Sequence, residues 1–144
     1  MEDREERGGA VRVGMVWGGI GGVVGLLVSL LGSLVGILVA GFIGFSCGRR
    51  AAAAGEGSGA LSGLVGGAVA APVYVLGSSI GALVAGREIG AARIATTLSE
   101  MLGTSLSAEE AWTFFLFSLV LSAVLQIVIL ILSSTAAGAW TSRK

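Results

Sequence analysis

From Val13 to Cys47 the chain carries no charged side chain, and this run constrains the fold more than any other feature. As one helix its roughly 35 residues would reach about 52 Å, while a bilayer's hydrocarbon core is about 30 Å thick and takes about 20 residues. One crossing cannot absorb the run. Two crossings of about 17 residues fit it tightly, with a turn near Leu31, Gly32 and Ser33 in "GLLVSLLGSLVG".

Two further apolar segments follow, Ala60 to Gly86 and Trp112 to about Ala139. The charges discriminate between three crossings and four. With four, Arg4, Arg7, Arg12, Arg49, Arg50, Arg143 and Lys144 share one side, and only Arg87 and Arg93 face the other. With three, the same residues split five against four. Cytoplasmic loops are rich in Lys and Arg, so the asymmetric split predicts four spans with both termini in the cytoplasm. The start, "MEDREERGGAVR", sets Glu2, Asp3, Glu5 and Glu6 against Arg4, Arg7 and Arg12 and is followed by no small-residue cleavage site. The mature protein is therefore expected to keep its first segment.

The predicted fold is all-α: an integral membrane domain of four transmembrane helices, the first two a tight hairpin, in the cell membrane. A charged tail occupies residues 1–12, spans 13–31 and 34–48, a cytoplasmic loop 49–59, the third span 60–86, the fourth 111–139, and a short tail 140–144. Pro72 falls near the middle of span three and is expected to kink it. Over 88–103, "EIGAARIATTLSEMLG" places Ala91, Ile94, Ala95, Leu98, Met101 and Leu102 on one helical face and Arg93, Thr96, Thr97 and Glu100 on another. That pattern predicts an interfacial amphipathic helix between spans three and four. Ser107 with Glu110 three residues on has the form of a capping box opening span four. Trp112, Phe114, Phe115, Phe117 and Trp140 fit aromatic anchoring at the two interfaces.

The composition is 54% hydrophobic and 12% charged, with net charge zero and no histidine. Without a basic face, a nucleic-acid partner is not expected. No Asp, Glu, Lys, Arg or His falls within the four predicted spans, whereas ion-coupled transporters, pumps and intramembrane enzymes depend on such groups. An enzyme is not expected, nor a cofactor or a metal. The lone Cys47 has no partner for a disulfide and reads as a small buried residue. "GEGSGALSG" has only a superficial likeness to a phosphate-cradling loop, since it lacks the preceding strand and the lysine; it reads as a flexible entry to span three with Ser58 as N-cap.

Two patterns remain to carry function. Among 25 glycines, many recur every four residues: Gly14, Gly18 and Gly22; Gly32 and Gly36; Gly55, Gly59, Gly63 and Gly67; Gly77 and Gly81. Spacing of four keeps them near one helical face, where a missing side chain lets another backbone approach. In span four, Ser118, Ser122, Gln126 and Ser133 form a polar stripe, which should face protein because an amide in hydrocarbon needs a partner. Arg49 and Arg50 are expected to meet anionic lipid headgroups.

The segment "LVAGFIGFSCGRR" leading into "GEGSGALSGLVGGAVAAP", Leu38 to Pro72, resembles the small glycine-rich archaeal membrane proteins, common in haloarchaea, that are catalogued as a domain of unknown function. The resemblance implies a hairpin of two short spans, a glycine-rich cytoplasmic loop and a proline in span three. The family's first turn usually carries proline, whereas "LLGSLVG" has none. It implies no activity.

The sequence therefore points to a non-enzymatic membrane protein acting through helix packing, as a self-associating scaffold or an accessory subunit of a membrane complex. Its expected partners are the lipid bilayer and either further copies of itself or another membrane protein. A small oligomeric channel lined by Ser118, Ser122 and Gln126 is the alternative, and a viral envelope or lysis-related protein is a third.

Overall fold

The computed structural model describes residues 2–28, 33–54 and 58–142. Five helices account for nearly all of them: α1 (Glu2–Val28), α2 (Ser33–Ala54), α3 (Gly59–Ile89), α4 (Ala91–Leu102) and α5 (Ala108–Thr141). Four of these, α1, α2, α3 and α5, are long and apolar enough to cross a membrane. The described residues are thus nearly all helical, and the four long apolar helices are compatible with a multi-pass membrane protein.

The helices run beyond the apolar segments. Residues 2–12, assigned to a charged tail, continue α1, and Arg49 to Ala54, assigned to a loop, continue α2. Glutamate, arginine and above all alanine are good helix formers, so a chain already helical in the apolar run has no reason to stop at its edge. α3 runs unbroken across Pro72, whose ring lies on the exposed side. The predicted turn at Leu31 and Gly32 lies outside the described residues.

Packing follows from the glycines. α1 and α3 run parallel, with Gly14 against Gly66, Gly18 against Ala70 and Gly22 against Val73. α2 and α5 also run parallel, with Gly36 beside Gln126, Gly44 beside Leu130 and Gly48 beside Ser134. Neighbours in sequence are antiparallel: Gly9 meets Ala54 and Gly21 meets Ile43 between α1 and α2, while Gly59 meets Gly138 and Gly86 meets Phe115 between α3 and α5. α2 and α3 touch across the centre, and α1 and α5 occupy opposite corners without touching among the described residues. The common core is Ala40, Ile43, Cys47, Ala70, Ala71, Tyr74 and Leu130. It is built mostly of small side chains because the helix backbones come so close.

This topology collects the start of α1, the end of α2, the start of α3 and the end of α5 at one end of the bundle. Arg12, Arg49 and Arg50 sit exposed toward that end, and Arg87 and Arg93 toward the other. At the far end the elements are unequal. Gly25 lies beside Ser78, and from Ser78 α3 continues to Ile89, roughly 16 Å on. α5 reaches still further past Gln126, roughly 27 Å back to Ala108.

The α3–α4 junction turns on Gly90, with φ of 82°, and α4 ends on Gly103, with φ of 67°. Both lie in the left-handed region that glycine enters without a Cβ penalty. α4 begins at Ala91 rather than residue 88, because Glu88 and Ile89 complete α3 before Gly90 breaks it. It packs chiefly on α5. Of its predicted apolar face, Ala95 is buried, Ala91, Ile94 and Leu98 are half-buried, and Met101 and Leu102 are exposed. α5 then opens on a full capping box: Glu110 N–H donates to Ser107 Oγ at 3.2 Å, and Ser107 N–H donates to Glu110 Oε2 at 2.8 Å.

Candidate functional site

A half-open cavity of about 330 Å³ lies between α3 and α5, in the half of the bundle away from the start of α1 and the end of α5. Its floor is Gly25, Gly36, Ser78 and Gln126, all buried. Ser79, Ala82 and Ala85 of α3 face Leu119, Ser122 and Ala123 of α5 along its walls. Ile89 and Ser118, both exposed, mark the rim, with Phe115 between them and the wall.

The floor is a hydrogen-bonded polar cluster. The Ser78 hydroxyl lies 2.9 Å from Gln126 Oε1 and 3.1 Å from the Val75 carbonyl, so its single hydrogen serves those two acceptors. Gln126 Nε2 donates to Ser122 Oγ at 3.2 Å. Beneath it, the Tyr74 hydroxyl donates to the Gly36 carbonyl at 2.6 Å. Every buried polar side-chain atom among the described residues has a partner. That is what a polar group surrounded by hydrocarbon requires, since each one left unpaired costs about 1–3 kcal/mol. Gly36 makes the arrangement feasible: a Cβ there would approach Gln126 Nε2 to 3.2 Å, so a side chain would crowd the amide.

The predicted polar stripe divides. Ser118, Ser122 and Gln126 line the cavity, with Ser118 Oγ bonded to the Phe115 carbonyl of its own helix at 2.8 Å. Ser133 does not join them. It faces α2, where a Cβ on Gly44 would collide with its Oγ, and it donates to the Leu130 carbonyl at 3.1 Å. The interhelical role falls instead to Ser134, whose buried hydroxyl donates to the Gly63 carbonyl at 2.7 Å. Residues 126, 130 and 134 are the buried row of α5, and the spacing of four that selected the glycines also selects Ser134. Ser78, Ser79 and Tyr74 were likewise not singled out from sequence; polar side chains in the middle of an apolar span were the available signal.

The predicted packing glycines are placed as follows. Gly14, Gly18 and Gly22 lie on α3, Gly59, Gly63 and Gly67 on α5, and Gly77 on the Gly22 backbone. Gly81 is buried, and Gly32 and Gly55 lie outside the described residues. Gly44, Gly48 and Gly138 make equally close approaches and were missed. The series Gly36, Ala40, Gly44, Gly48 continues the spacing of four once alanine is counted as small.

At the other end, the Arg50 guanidinium sits over the Trp17 ring at 5.1 Å, a cation–π contact between α2 and α1. Arg49 is exposed beside Trp140. Cys47 is fully buried against α3. Among the described residues no group of His, Cys, Asp or Glu is placed to hold a metal ion.

Comparison with family models, with curated proteins and with solved structures finds no match to this chain.

Proposed function

We propose that this chain is a non-enzymatic membrane protein that acts through helix packing, as a self-associating scaffold or as an accessory subunit of a larger membrane complex. The observation that carries the reading is the use of glycine. Helix backbones meet at Gly14 and Gly66, Gly22 and Gly77, and Gly59 and Gly138, which supports a rigid unit rather than one that rearranges to move charge. The Arg and Glu side chains of the described residues lie toward the bundle ends, where they offer no relay through its middle. In this reading the Arg-rich end faces the cytoplasm, with both termini, in the cell membrane. α4 lies along the opposite interface, with Met101 and Leu102 entering the lipid. Membership of the glycine-rich archaeal group, drawn from the likeness of Leu38 to Pro72, is part of the same proposal.

An oligomeric pore lined by Ser118, Ser122 and Gln126 draws less support. Gln126 is turned into its own bundle and bonded to Ser78, so a pore between chains would have to break that pair.

Association is tested with two differently tagged copies expressed together and extracted in lipid nanodiscs. Co-recovery of the two tags, or of one other membrane protein in fixed ratio, is the expected result; a monomer recovered alone at native abundance overturns the proposal. Because Cys47 is buried, proximity is mapped with Gly19→Cys in a Cys47→Ser background. Gly19 is exposed, and a Cβ there meets nothing within 4 Å.

A further inference from the structure

The cavity between α3 and α5 has a polar floor, a mostly apolar mouth and, among the described residues, no ionisable lining, and each property restricts what can enter. A charged ligand would find no counter-ion, and desolvating it would cost several kcal/mol. A wholly apolar ligand would leave the floor's remaining hydrogen-bonding capacity unused. That capacity is specific. The Ser79 hydroxyl makes no hydrogen bond among the described residues, Ser122 Oγ accepts from Gln126 but donates to no described group, and the Gln126 amide has a second N–H. The mouth, by contrast, is framed by Phe115, Leu119 and Ile89, and the hydroxyl of Ser118 at its rim is already bonded to the Phe115 carbonyl.

We propose that this cavity binds an uncharged amphiphile drawn from the lipid phase. Its hydrogen-bonding end sits on Ser79, Ser122 and Gln126, and its apolar body lies toward Phe115, Leu119 and Ile89. This goes beyond the association reading and does not depend on it. The polar end enters first because donors and acceptors are at the bottom, and an apolar rim costs nothing to a molecule arriving through hydrocarbon. At roughly 30 Å³ per water-sized group, 330 Å³ holds about eleven non-hydrogen atoms. An eight-carbon alcohol bearing a diazirine has that size.

The test uses the full chain in nanodiscs of neutral phospholipid, photolabelled with this alcohol, with the diazirine alkane of equal length and with the matching carboxylate. The alcohol is expected to label peptides covering 79–89 and 115–123, and excess unlabelled octanol should lower that labelling about tenfold. The alkane should instead mark exposed positions such as Leu121 and Leu125. Ala123→Leu, which fills the wall, and the pair Ser79→Ala with Ser122→Ala, which keeps the volume, should each reduce alcohol labelling at these peptides. Alcohol labelling that octanol does not displace, or that follows the alkane's pattern, overturns the proposal. So does preferred labelling by the carboxylate. The wild-type competition decides the matter even where a variant fails to fold.

Discussion

Tyr74 hands its phenolic hydrogen to the Gly36 carbonyl at 2.6 Å, joining the middle of α3 to the first turn of α2 directly beneath the Gln126 cluster. The tyrosine is fully buried, and a Cβ on Gly25 would come within 3.2 Å of its ring. α1, α2 and α3 therefore converge on a single side chain.

Tyr74→Phe keeps the ring and removes the bond. Hydrogen bonds between membrane helices average about 0.6 kcal/mol and reach about 1.7, so a loss of about 1 kcal/mol is expected from unfolding of the purified protein in mild detergent. Tyr74→Ala also empties the core and should cost about 3–5 kcal/mol. Equal losses for the two substitutions would mean that the hydroxyl, not the packing, dominates.

Glycine substitutions should separate sharply by position. A Cβ on Gly48 would fall on the Ser134 backbone and one on Gly77 on the Gly22 backbone, whereas Gly19 faces open space. Gly48→Ala and Gly77→Ala must push whole helices apart and should lower stability by about 2 kcal/mol or more, within the range of overpacking. Gly19→Ala should be neutral or stabilising by up to about 1 kcal/mol, the difference in helix propensity. Thermal unfolding of the three variants in one detergent gives the ordering.

Ser107→Ala removes the cap of α5 and should cost about 1 kcal/mol. Glu110 precedes the apolar run and gives a matching pH signature. The Ser107 backbone N–H, and then its hydroxyl, hold the Glu110 carboxyl below its ordinary range. A depressed carboxyl contributes stability above its unfolded value of about 4.3 and loses it as pH falls through the folded value. The wild type should therefore weaken below about pH 4 more than Glu110→Gln does, in unfolding measured across pH.

A compartment-specific label on Glu100→Cys in a Cys47→Ser background should react from the side opposite to tags on the two chain ends. The packing places the start of α1 and the end of α5 together and α4 at the far end. Reaction of residue 100 from the same side as either tag would break the proposed orientation.

That the chain folds into four long apolar helices, and in this order, was legible in the sequence. Hydropathy and charge are properties of consecutive residues, and a bilayer imposes one length on each crossing. The capping box and Ser58 were legible for a similar reason, since a cap is completed within four residues. Which polar side chain faces which neighbour was not. Ser133 and Ser134 are adjacent and chemically identical, yet only Ser134 crosses to Gly63, because a step of one residue turns a helix by about 100°. Likewise, the cavity is lined by side chains of α3 and α5 that are about forty residues apart in sequence and come level only once their glycines set the helices side by side. The sequence by itself determined what the lipid would accept; the tertiary structure decided which backbones could approach, and so where polar groups found partners and where space was left.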